Sequence, residues 1–132
     1  MSTIQPGYEI APDGTAYEIL RKADAPLVVL IHGLGLCRHM WRDHIADFAN
    51  DYQVLTYDLL GHGDSAAPTA PTDLSLYAGQ LCGLLDHLQI DKAAVVGFSI
   101  GGMINRRFAL DYPDRLSALA ILNSPHDRGH KA

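Results

Sequence analysis

The stretch Ala93-Ala94-Val95-Val96-Gly97-Phe98-Ser99-Ile100-Gly101-Gly102 decides the fold. Its first six residues are a short apolar run, the mark of a strand buried within a sheet. From Ile100 the period changes. Met103, Ile104 and Phe108 recur at helical spacing as far as Asp111, and Pro113 closes the helix. Ser99 lies at the change-over, between Gly97 and Gly101, in a G-x-S-x-G pattern. That context puts Ser99 on a sharp strand-to-helix turn, in a strained backbone that raises its Oγ above the sheet. The helix behind it offers free N–H groups and a partial positive charge to developing negative charge. The alternative is a glycine-lined junction with an inert capping serine.

Outward from this turn the pattern alternates. Leu27–Ile31 and Gln53–Tyr57 read as buried strands, and Leu116–Leu122 as a further one. Between the first two, Met40–Ala49 places Trp41, Ile45 and Phe48 at helical spacing. Asp73 or Ser75 caps a helix that runs to about Leu88, with Tyr77, Leu81, Leu84 and Leu85 on its inner face. At the start, Tyr8–Ile10 and Thr15–Arg21 flank the turn Pro12-Asp13-Gly14, which predicts an antiparallel hairpin. The expected class is α/β: a mostly parallel sheet, an antiparallel N-terminal hairpin and helices on both faces. Residues 1–132 read as one domain, or as part of one.

In such sheets the functional groups sit beyond the carboxyl ends of the strands. The first parallel strand ends in His32-Gly33-Leu34-Gly35, whose glycines let the backbone turn tightly and expose its amides. The Leu34 and Ile100 amides can then converge on one oxygen as an oxyanion hole. A dinucleotide fingerprint fits poorly, because Arg38 takes the place of the third small residue and no helix opens at Gly33. The second strand runs into Asp58-Leu-Leu-Gly61-His-Gly63-Asp-Ser65. Asp58, His62 and Asp64 invite a metal or acid–base reading, but a tight loop whose carboxylates bond backbone N–H groups is the better account. His32 and His62 are expected to shape their loops. Trp41 is expected to anchor its helix and is a candidate lining of a substrate pocket.

Together these motifs resemble the α/β-hydrolase family, in particular its small esterase, enol-lactonase and meta-cleavage-product hydrolase branch. Asp111-Tyr-Pro-Asp-Arg-Leu116 is similar to that family's link from the nucleophile helix into the next strand. The resemblance implies Ser99 as nucleophile, Leu34 and Ile100 as oxyanion donors, and neither metal nor organic cofactor. It implies a small carboxylic ester or lactone as substrate, turned over through an acyl-enzyme, with C–C bond hydrolysis as a close variant. It also implies a lid, two more strands, a triad acid and a His beyond Leu122, so the fold is expected to be incomplete here. Without the base, Ser is a weak nucleophile, and removing it from such a triad costs about a millionfold. The 132-residue chain alone is therefore expected to be inactive. His126 and Asp127, just past the sixth strand, are minor candidates for the missing groups. Leu116–Leu122 would be left as an apolar edge that pairs with a C-terminal half of the fold or with itself. A non-catalytic binding or assembly fragment on the same scaffold is the alternative function.

Composition narrows the classes. The formal charge of −5 with scattered Lys and Arg leaves no basic footprint, so nucleic acid is not an expected partner. Leu27–Ile31, the longest apolar run, is far too short for a bilayer, and the first residues carry no secretory pattern. The two cysteines, Cys37 and Cys82, read as small buried hydrophobes in a reducing compartment, and the cytoplasm is the expected location.

Overall fold

Each parallel strand is apolar at consecutive positions, so both faces of the sheet must be covered. The computed structural model describes residues 7–123 and bears this out. In chain order its strands are β1 (Glu9–Ile10), β2 (Ala16–Leu20), β3 (Leu27–Ile31), β4 (Gln53–Tyr57), β5 (Ala93–Phe98) and β6 (Leu116–Leu122). Its α-helices are α1 (Ile45–Ala49), α2 (Leu74–His87) and α3 (Ile100–Asp111). The sheet is ordered β1-β2-β4-β3-β5-β6. Strands β4, β3, β5 and β6 are parallel, while β1 and β2 form the expected hairpin and β2 pairs antiparallel with β4.

On one face Val29, Ile31, Leu55, Tyr57 and Val95 pack against α2 and α3 through Leu81, Leu84, Ile104 and Phe108. On the other, Val28, Leu30 and Val54 pack against Trp41. Side chains of β3 alternate between the two cores, and all five are buried. Asp73 is the cap of α2, its side chain accepting from the Leu76 amide at 2.7 Å.

The segment after β3 differs from expectation. It begins at Arg38, as a 3-10 turn through His44, and only Ile45–Ala49 is α-helical. The apolar period located the buried face, with Trp41 3% exposed. Arg38 sets the start instead, because its amide and guanidinium are both held by Asp58. The cysteines are half-buried rather than buried, and neither is in a disulfide. No helix among the described residues is long and apolar enough to cross a membrane. His126 and Asp127 lie outside the described residues.

The register brings the strand ends to one rim: Ile31 lies opposite Tyr57 and Gly97, and Phe98 opposite Leu122. Strand β6 closes the sheet on that side as an edge, with Leu119, Ile121 and Leu122 each more than a third exposed.

Candidate active site

Ser99 occupies the bend between β5 and α3, with φ 58° and ψ −120°. A non-glycine residue in that region is strained, and such strain persists only where surroundings impose it. Here the main chain imposes it. A Cβ on Gly97 would collide with the Gly101 carbonyl, and one on Gly101 would lie 2.6 Å from the Ile31 oxygen. Strand, helix and neighbouring strand therefore meet backbone to backbone. The bend is pinned by two bonds of 2.9 Å, from the Ser99 amide to the Leu122 carbonyl and from the Gly102 amide to the Ser99 carbonyl. Ser99 stands at the N-cap position of α3, yet its side chain makes no cap hydrogen bond. That removes the reading of a capping serine.

The loop after β3 abuts this bend. A Cβ on Gly33 would lie 3.3 Å from the Ser99 Cβ and 3.1 Å from the Phe98 ring. Residues 33–36 form a turn in which the Leu36 amide bonds the Gly33 carbonyl at 3.0 Å and Gly35 has φ +77°. That combination is the type II pattern, which requires a left-handed third residue and so a glycine. The Gly33 carbonyl also faces His32 Nδ1 at 2.7 Å. The Gly33–Leu34 peptide is trans, so its N–H points opposite to its carbonyl. With the carbonyl engaged twice, the Leu34 amide is turned the other way, and it has no acceptor among the described residues. The Ile100 amide opens α3 and belongs to the turn whose N–H groups have no intrahelical partner.

His32 is wholly buried and bridges two loops. Its Nε2 accepts from the Leu59 amide at 2.9 Å, so the ring is neutral with its proton on Nδ1, donated to Gly33. Burial lowers its pKa, and the His62 charge adds to that, against the Gly33 hydrogen bond and Asp58. The His62 ring is 5.1 Å away.

Asp58 behaves as a loop carboxylate. Wholly buried, it accepts from the Arg38 amide at 2.7 Å, the Asp64 amide at 2.9 Å and Arg38 Nη1 at 2.6 Å. Gly63 passes so close that a Cβ there would strike the Asp58 carboxylate. The role of Arg38 was not legible in the sequence. Its side chain, 4% exposed, also reaches Glu18 at 2.7 Å and Asp64 at 3.0 Å. Burial works against its charge, but the bonds to Glu18 and Asp64 and the Asp58 charge outweigh it, so its pKa rises. A buried guanidinium demands carboxylates, but no spacing in the chain links position 38 to 18, 58 and 64.

Trp41 lies in the 3-10 turn rather than in an α-helix. It fills the core against Val28, Leu30 and Val54, and with Met40, Phe98, Ile121 and Leu122 it lines a cavity of about 380 Å³ beside the Ser99 bend. A larger cavity, about 500 Å³, lies by Tyr8, Arg38 and Arg42, among residues that form no part of the bend. Its size does not make it the reaction site.

The sheet order, the strained serine and the abutting glycine loop define one class. The profile of the alpha/beta hydrolase fold matches residues 26–131, and the chain belongs to that family. It is 34% identical over 108 residues to 3-oxoadipate enol-lactonase 2 of Acinetobacter baylyi, covering 82% of this chain and 40% of that protein. An uncharacterized carboxylesterase of Bacillus subtilis is 34% identical over 101 residues, covering 76% of this chain and 34% of that one. The crystal structure of the enol-lactonase from Burkholderia xenovorans superposes with a TM-score of 0.81 at 34% identity, covering 89% of this chain and 46% of that one. This chain thus spans less than half the length of these relatives.

Two outcomes follow from the geometry. Ser99→Gly relieves the positive φ and is expected to stabilise the fold by about 1 kcal/mol, the cost of such strain less the entropy of glycine. Urea midpoints of the two proteins measure this. For His32, the unfolded ring titrates near 6.5 and the folded ring lower, so the unfolded chain holds more protons between those values. Its contribution is complete above pH 6.5 and is lost as pH falls through the folded value. His32→Gln is expected to flatten that part of the stability–pH curve, read from urea midpoints between pH 7.5 and pH 5, on the order of the range in which imidazoles titrate.

Proposed function

We propose that this chain carries the nucleophile of a serine hydrolase that acts on a small carboxylic ester or lactone through an acyl-enzyme. The observation that supports this best is the strained, uncapped Ser99 placed against a loop whose Leu34 amide is turned away from its own bonded carbonyl. Ester and lactone chemistry is favoured by the names of the relatives, an enol-lactonase and a carboxylesterase.

In this reading Ser99 Oγ attacks the carbonyl carbon, and the Oγ–C bond forms as the carbonyl π pair moves onto oxygen. The Leu34 and Ile100 amides donate to that oxyanion, where charge develops. The Ser99 proton passes to a His supplied from a further part of the fold. Collapse of the oxyanion breaks the C–O bond, and the leaving oxygen takes the proton from the His. Water, activated by the same His, then attacks the acyl carbon and frees Ser99. No step needs a metal or organic cofactor. Trp41 and Phe98 would flank the substrate group nearest the nucleophile.

The edge strand β6 supports a second element of the proposal. An apolar edge with Leu119, Ile121 and Leu122 exposed is a template for another strand. We infer that it pairs with a C-terminal part of the fold or with a second copy.

A fluorophosphonate, which loses fluoride to an activated serine, tests the nucleophile. The chain, with any C-terminal half that co-purifies, is expected to gain one adduct by intact mass, and Ser99→Ala none. An unmodified wild type in that mixture would favour the non-catalytic binding fragment. Light scattering at high concentration tests the edge: a dimer or a complex is expected, and a clean monomer counts against it.

A further inference from the structure

We propose that Arg38 is a positioning residue: through Asp58 it holds the turn 33–36 in the one arrangement that aims the Leu34 amide outward. The inference deepens the serine reading above and rests on it for its catalytic consequence, though not for its structural one.

The turn has little else to hold it. Leu34 is 66% exposed and Leu36 44%, so neither side chain fixes the loop by packing. Gly35 has open space around its Cβ position and so makes no close contact there. Beyond the abutment of Gly33 on Phe98 and Ser99, what remains are hydrogen bonds at the two ends. At the first end His32 Nδ1 and the Leu36 amide both engage the Gly33 carbonyl. At the second end the chain enters its 3-10 turn at Arg38, and there the Asp58 carboxylate is used twice. Its Oδ1 takes the Arg38 amide and its Oδ2 the Arg38 Nη1, so one carboxylate grips backbone and side chain of the same residue.

The rest of the cluster makes that grip rigid. Arg38 Nε donates to Glu18 on β2, and Nη1 donates also to Asp64 in the loop after β4. The Asp64 amide donates back to Asp58 Oδ2. Tyr8 lies across the guanidinium, whose carbon is 4.7 Å from the ring centroid. A guanidinium is a planar fork that can meet several carboxylates in fixed directions, whereas an ammonium is a point charge on a flexible stem. Arg38 thus ties the turn to β2 and to the β4 loop, which the sheet holds in place. If the second end is released, the type II turn can exchange with other turns. A change of turn type by itself rotates the Leu34–Gly35 peptide, but once the Leu36–Gly33 bond opens the Gly33–Leu34 peptide is also free to rotate, and the Gly33 carbonyl, rather than the Leu34 amide, can face Ser99.

Arg38→Lys keeps the charge beside Asp58 and removes the fork. The first readout is amide hydrogen exchange, which needs no reactivity from the serine. Exchange at Leu36, whose N–H closes the turn, is expected to rise by about tenfold or more, with Leu30 and Leu55 in the sheet unchanged. The second readout is the maximal rate of Ser99 phosphonylation, expected to fall about tenfold with the half-saturating probe concentration unchanged, since only the charged transition state uses the Leu34 amide. If Arg38→Lys does not fold, Glu18→Gln carries the test. It leaves the Asp58 grip intact, loosens the fork, and should shift both readouts the same way by a smaller factor. Leu36 exchange equal to wild type, or rising only in step with Leu30 and Leu55, overturns the proposal. A wild type that takes no adduct with the co-purified C-terminal half present overturns the serine reading and the catalytic consequence of Arg38, while the exchange result still decides whether Arg38 holds the turn.

Discussion

The close approach of bare backbone at the end of β5 governs this structure. Gly97 sits against the carbonyl of Gly101, and Gly101 against the carbonyls at the end of β3, at separations no side chain could share. Because α3 starts that near the sheet, the residue between strand and helix has no room for ordinary dihedrals, and Ser99 is forced to positive φ. Everything at the site follows from this contact. It fixes where α3 begins, and it leaves the β3 loop within van der Waals reach of Ser99.

A second constraint is electrostatic. Asp58 is wholly buried, and a buried carboxylate is tolerable only when its lone pairs are filled and its charge is opposed. Two backbone amides and one guanidinium do this. The cost of burying the charge is thereby turned into a fixed distance between two loops that are far apart in sequence. His32 does similar work without charge. Its neutral ring accepts from the β4 loop and donates to the β3 loop, and its lowered pKa is the consequence of its burial. The rim of the sheet is thus held by polar bonds, while the two apolar cores hold the sheet itself.

Stability and chemistry pull apart at two places. The half-buried Ser99 holds a positive φ that costs free energy. Strand β6 leaves apolar side chains and unpaired main-chain groups at an edge, an arrangement that compact sheets avoid unless something pairs there. The relatives matched are each more than twice as long as this chain.

Most of the fold was legible along the chain, because burial on both faces writes itself as continuous apolar runs and amphipathic helices as a 3.6-residue period. Strands β3, β4, β5 and β6 and the helices α2 and α3 lie where those patterns place them. The Ser99 bend was legible too, since only glycine permits such close backbone contact and the glycines are local in sequence. The partners of Arg38, the tautomer of His32 and the direction of the Leu34 amide were not. Each depends on contacts between residues 20 or more positions apart, or on the rotation of one peptide plane, and neither leaves a periodic trace. The sequence by itself determined which elements form and which residue stands at the bend. Only the tertiary structure decided how the loops around it are held and which way their amides point, because those follow from where the buried polar groups find one another.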